Sequence, residues 1–179
     1  MQAKNTTLLF RDVQNGIVQC YGENPGVKVP FLRAVKTARH SGISVTFVCV
    51  AFREGYPEVS ANNKMFSAIA GNAGMTFSDA STQIHNSVAP RPDEPVVTKF
   101  RVSAFAGSDL EVILRSRKIN TLVLTGISTS RVADKDYRLV VLSDACLDAD
   151  TEVHSVLINK TFPRQADVLT VDEWVETLR

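Results

Sequence analysis

Two residues of opposite charge stand where apolar runs of this chain end. Asp12 closes the apolar part of TLLFRDVQNG (7–16), and Lys99 lies in PVVTKFRVSAFAG (95–107). A third run, TLVLTGISTS (121–130), stops at Gly126-Ile127-Ser128-Thr129-Ser130, a turn with hydroxyls and no thiol. A carboxylate and an ammonium at neighbouring strand ends can activate a nucleophile. The carboxylate serves as base, and the ammonium holds charge near a thiolate or a carbonyl oxygen. The same two residues equally make a plain ion pair that closes the top of a sheet.

The elements that must position them alternate. Residues 7–13 form a short apolar run, and 27–41 read as an amphipathic helix with Val29, Leu32, Val35 and Ala38 near helical spacing. Gly42 suits the helix stop. SVTFVCVA (44–51) is β-branched and apolar on both faces, the signature of a strand buried in a parallel sheet. Residues 52–94 are rich in Gly, Pro, Asn and Ser and read as one long irregular region. Strands are then expected at 95–98, 121–125, 138–142 and 166–170. Helices are expected at 109–117 with Ser108 as N-cap, at 150–162 and at 171–178. The pattern implies an α/β fold of one domain over 1–179: a three-layer sandwich, with a mostly parallel sheet of about six strands and helices on both faces. Ligands bind such sheets beyond the carboxyl ends of the strands. Asp12, Lys99, the Gly126–Ser130 turn and Asp144 all fall at that edge.

Composition narrows the function class. A chain of 179 residues is enough for one core. With 22% charged residues and a net charge of +1, it carries no broad field for nucleic acid or an anionic membrane. The longest apolar stretch, 45–52, is far short of the ~20 residues that span a bilayer. Leu8-Leu9-Phe10 is too brief for a signal-peptide core, so a cytoplasmic protein is expected. Cys20, Cys49 and Cys146 are widely spaced, which fits neither a disulfide framework nor a CxxC site. Cys146 and Cys49 read as core filler. His40, His85 and His154 are not at metal-ligand spacing, so neither metal nor cofactor is expected.

The runs LLFRDVQNG, VAFREGYPEVS (50–60), IHNSVAPRPDEPVVTKFRVSAFAGSDLEVILRSRKINTLVLTGISTS (84–130) and YRLVVLSDACLD (137–148) resemble the isochorismatase-like cysteine hydrolase family over nearly the whole chain. In that family an Asp, a Lys and a Cys form the catalytic triad. The resemblance implies that Asp12 and Lys99 are the first two. It also implies a cis peptide near Ile127-Ser128 that, with Thr129, shapes an oxyanion hole. Family members hydrolyse a vinyl ether (isochorismate) or amides (nicotinamide, carbamoyl groups), and commonly self-associate. The Asp–His–His metal set of its nicotinamidases has no counterpart in FREGYPEVSANN, which holds no His.

The departure from the family lies after Thr129. The chain runs Ser128-Thr129-Ser130 straight into Arg131 and on to Tyr137, and no cysteine follows the turn. The stretch looks short by roughly eight residues, or ~12 Å of helix. The missing part is the one that carries the nucleophile in the family. The sequence therefore implies a small-molecule hydrolase of the vinyl ether or amide class with impaired cysteine chemistry. The alternative is a non-catalytic relative that binds a small ligand or a protein. Gln14, Tyr56 and Phe105 are the expected substrate contacts, and a dimer or tetramer is the expected assembly.

Overall fold

A computed structural model describes residues 2–19, 25–127 and 135–178, with the main chain alone at 25–28. Its centre is a six-stranded sheet in the order β3-β2-β1-β4-β5-β6, every neighbouring pair parallel. The strands are β1 (Thr6–Arg11), β2 (Ser44–Val50), β3 (Val96–Lys99), β4 (Thr121–Ile127), β5 (Arg138–Leu147) and β6 (Asp167–Leu169). The order runs one way from β1 to β3 and the other way from β4 to β6. At such a reversal, here between β1 and β4, α/β sheets bind ligands beyond the carboxyl ends of the strands. The expected three-layer α/β sandwich is the observed one.

Helices α1 (Asn15–Gln19), α2 (Pro25–His40), α3 (Lys64–Gly71), α4 (Leu110–Ser116), α5 (Thr151–Val156) and α6 (Val171–Glu176) surround the sheet. On one face, Phe31, Ala34, Val35 and Ala38 of α2 and Trp174 of α6 pack on Leu8, Phe10, Phe47, Val123 and Val140. On the other, Leu110 and Leu114 of α4 and Phe162 pack on Leu9, Val48, Val97, Leu124 and Val141. Alternate residues of β1 thus serve opposite cores, which explains why the run is apolar throughout. Each fully buried Leu or Phe contributes about 1.5–3 kcal/mol. The buried stripe of α2 is offset from the expected one, since Val29 faces solvent and Phe31 faces the sheet.

Three stretches differ from the sequence reading. The irregular region contains α3, started by Asn63, whose side chain accepts from the Phe66 N–H. An Asn before an apolar run is the signal that could have revealed it. Asp109, not Ser108, precedes α4, although the Ser108 hydroxyl accepts from the Leu110 N–H at 3.3 Å. The segment expected as one helix over 150–162 is α5 followed by a π-helical turn, Leu157–Thr161, and a 3-10 turn.

β5 is longer than expected, because pairing resumes after a bulge. Leu124 faces Val141, whereas Gly126 faces Cys146. Cys146 is therefore within the strand rather than beyond it. The Thr125 hydroxyl donates to Ala145 O, and Asp144 accepts the Val171 N–H at 2.8 Å, tying the bulge to α6. Gly126 is required where β4 meets β1. Its φ is +114°, and a Cβ there would lie 2.0 Å from Arg11 O.

Candidate active site

The end of β1 turns sharply to present Asp12. Its φ of 57° is left-handed, a conformation that Asp tolerates better than most residues. The Asp12 N–H still donates to Val48 O at 2.8 Å, so the turn is anchored to β2. Lys99, the last residue of β3, reaches across β2 and donates from Nζ to Asp12 Oδ2 at 2.5 Å. The two residues are 4% and 3% exposed, which places the pair inside the protein rather than on its rim. Burial pulls the Lys99 ammonium below its ordinary pKa. Asp12 opposes that shift, and nearby Arg11 adds to it. The other carboxylate oxygen, Asp12 Oδ1, is buried with no hydrogen-bond partner among the described residues.

The loop after β3 completes the wall. Val102 O accepts from Lys99 Nζ at 3.2 Å and from Arg11 Nη2 at 2.9 Å. Arg101 holds this loop to the preceding one by donating to Glu58 O at 2.9 Å, and Arg53 lies 5.1 Å from the Phe100 ring centroid. A concavity of about 600 Å³ lies over β2 and β3, with Asn15, Cys49, Phe77, Thr82 and Thr98 among its lining residues; Asp12, Lys99 and Arg11 do not line it.

The expected substrate contacts have other engagements. Gln14 is fully buried, and its amide donates to Val50 O at 2.9 Å and Thr82 O at 2.7 Å while accepting from the Val50 N–H at 2.9 Å. Its hydrogen-bonding capacity goes to the main chain, so it clamps β2 to the 80–82 turn rather than facing a ligand. Tyr56 packs with Phe52 and Phe66, and its hydroxyl donates to Gly74 O at 2.9 Å. Phe105 lies in a different apolar cluster, stacked on Tyr137 with centroids 6.0 Å apart. The structure brings Asp12 and Lys99 together, while it commits Gln14 and Tyr56 to main-chain hydrogen bonds and stacks Phe105 on Tyr137. Ile127 is buried at the end of β4. Ser128 and Thr129, the expected cis peptide, Cys20 and the short crossover lie outside the described residues.

Cys49 is not an activated thiol by position. Burial pushes the Cys49 thiol up to about 12; Asp12 adds to the rise, and Lys99 opposes it. Cys146 is 3% exposed and donates to Leu124 O at 3.6 Å. His85 caps a 3-10 turn by accepting the Ser87 N–H at 3.2 Å.

The Isochorismatase domain family matches residues 6–173. The chain belongs to the isochorismatase family. It is 31% identical to the uncharacterized isochorismatase family protein YecD of Escherichia coli O157:H7, over 99% of this chain and 98% of that protein. It is 26% identical to the ureidoacrylate amidohydrolase RutB of Stutzerimonas stutzeri (strain A1501), over 85% of this chain and 73% of that one. The fold is similar to an isochorismatase family protein from Burkholderia thailandensis, with a TM-score of 0.81 and 24% identity over 99% of this chain and 97% of that one. Arg11 is the member of the site that sequence reading missed. In the run LLFRDV it looks like an ordinary polar residue at a strand end, and only its flanking apolar residues hint that it is buried.

Proposed function

We propose that this isochorismatase-family protein hydrolyses a small molecule by proton transfer at the Asp12–Lys99 pair, with a vinyl ether C–O bond as the best-matched target. The observation that carries this reading is the division of labour within one carboxylate. Oδ2 is held by Lys99 Nζ at 2.5 Å, while Oδ1 is buried without a partner among the described residues. A vinyl ether needs no protein nucleophile. In the reactive form Asp12 carries a proton on Oδ1 and donates it to the terminal alkene carbon, and the ether carbon becomes an oxocarbenium ion. Water adds to that carbon and returns a proton to Asp12. The hemiketal then breaks its C–O bond to release an alcohol and a ketone, so the sum is substrate plus water. Lys99 keeps the carboxylate in place and supplies charge when the proton has left.

Amide hydrolysis asks for more. It requires attack on a carbonyl, and the family's thiol has no counterpart in Ser128–Asp134, whose residues are STSRVAD. Cys49, with its thiol near 12, is a poor substitute. The same reading has the chain acting in the cytoplasm on a small molecule, as a dimer or tetramer, without nucleic acid or membrane. Among the described residues no helix is long and apolar enough to cross a membrane.

The test compares isochorismate with the amide N-carbamoylsarcosine, following release of the keto acid and of ammonia. The vinyl ether should be the faster substrate, and Asp12→Asn should lower its turnover by about 10²–10⁴-fold. An Asp12→Asn chain that hydrolyses as the parent does sinks the proposal. Ligand-induced thermal stabilisation without any turnover would indicate the non-catalytic binder instead.

A further inference from the structure

Arg11 is a buried charge that the proton chemistry does not use. It is the last residue of β1 and is 1% exposed. Its Nη2 donates to Val102 O at 2.9 Å, but Nε and Nη1 are buried and make no hydrogen bond among the described residues. Asp12 Oδ2 lies 4.0 Å from Nη2, beyond hydrogen-bond reach, and already accepts from Lys99. Two cations therefore converge on one carboxylate and one main-chain carbonyl. With Asp12 ionised, the cluster of Arg11, Lys99 and Asp12 carries one positive charge in excess.

Such an arrangement is costly if nothing binds there. A buried charge without a counter-charge, and buried N–H groups without acceptors, both weigh against folding. Burial accordingly pulls the Arg11 guanidinium below its ordinary pKa, against the opposing influence of Asp12 and then Cys146. An apolar side chain would suit a residue this deeply buried better. One ligand group relieves both deficits: an anion with acceptor oxygens. A carboxylate fits best, because its planar pair of oxygens matches the guanidinium fork.

We infer that Arg11 anchors the anionic group, a carboxylate by preference, of the molecule that binds beside Asp12 and Lys99. This rests on the hydrolase site proposed above and adds that its substrate is an anion whose charged end is held on the β1 side. Arg11 is then a specificity-determining residue: it orients the substrate, while the Asp12–Lys99 pair moves the proton.

Shape-matched probes separate charge from size. Calorimetry at fixed ionic strength compares acetate with acetamide, and benzoate with benzamide, on the parent, Arg11→Met and Arg11→Gln chains. The parent should prefer each carboxylate on the order of tenfold or more, as expected for a charge-assisted contact. Both variants should bring the preference to within about twofold. Unliganded Arg11→Met should be at least as stable as the parent in urea. A parent without carboxylate preference, or a preference that survives in Arg11→Gln, overturns the inference. An Arg11→Met chain that is markedly less stable than the parent also overturns it, because Arg11 would then be a structural residue. Binding needs no turnover, so the two proposals fail separately. Arg11-dependent preference in a chain that hydrolyses nothing removes the proposed reaction and leaves the anion site. Hydrolysis with the preference intact in Arg11→Gln does the reverse.

Discussion

The charge balance of the site predicts an unequal response to removing either partner of the Asp12–Lys99 pair. Arg11, Lys99 and Asp12 are all at most 4% exposed, so solvent screens none of them well. Asp12→Asn leaves two buried cations and no carboxylate among them. Breaking a buried pair in this way costs about 3–5 kcal/mol. Lys99→Met instead leaves Arg11 beside Asp12, with Nη2 already 4.0 Å from Oδ2. The cluster becomes neutral, and the loss is closer to that of one charge-assisted hydrogen bond, about 1.5–3 kcal/mol. For a chain of this size each kcal/mol moves the unfolding midpoint by about 2–4 °C. Asp12→Asn should thus lower Tm by about 6–20 °C and Lys99→Met by about 3–12 °C. Paired urea and thermal unfolding at neutral pH measure both. Equal losses, or a larger loss for Lys99→Met, would refute the idea that Asp12 is shared by two cations.

The pH dependence carries the same signature. The folded-state pKa of Lys99 lies below its unfolded value of 10.5, so between the two the unfolded chain binds more protons. Lys99 therefore contributes stability that rises with pH through that window. The rise should shrink in Lys99→Met when unfolding is followed from pH 8 upward; an unchanged profile would contradict it. Gln14→Ala should lower stability by about 2–4 kcal/mol, because it strands buried groups at Val50 and Thr82. A folded Gln14→Ala chain whose only defect is a raised KM would restore the substrate contact expected from sequence. Gly126→Ala should fail to yield a folded chain on chromatography and circular dichroism, since its Cβ would overlap Arg11 O. Cys49 should resist alkylation at pH 8 in the native state and react only on unfolding. Peptide mapping by mass spectrometry shows this directly, and rapid native labelling would contradict the buried thiol near 12.

Much of this protein was written locally. The apolar runs that became β1, β2 and β4 are legible because a strand buried on both faces needs apolar residues in sequence, whatever its partners. The ends of those runs placed Asp12 and Lys99 at one sheet edge, and the motif runs identified the family. The absence of a cysteine between Thr129 and Tyr137 is likewise a fact of sequence alone. Boundaries were less legible where the sheet departs from regular pairing. Leu142 looks like the end of a strand until the bulge returns Cys146 to the side of Gly126.

What only the tertiary structure decided is where polar groups find their partners. Gln14 and Arg11 both lie within two residues of Asp12 in sequence, and only Gln14 is an expected ligand contact there. Gln14 is spent because Val50 and Thr82, distant in the chain, bring main-chain groups to its amide. Arg11 is under-satisfied because only Val102 reaches it from the loop after β3, and the adjacent carboxylate is already bound to Lys99. Hydrophobic pattern is a property of neighbouring residues, whereas hydrogen-bond satisfaction depends on which distant segments meet. The sequence determined the scaffold and the Asp12–Lys99 pair; the packing of distant loops decided which of its neighbours keeps buried N–H groups without partners among the described residues.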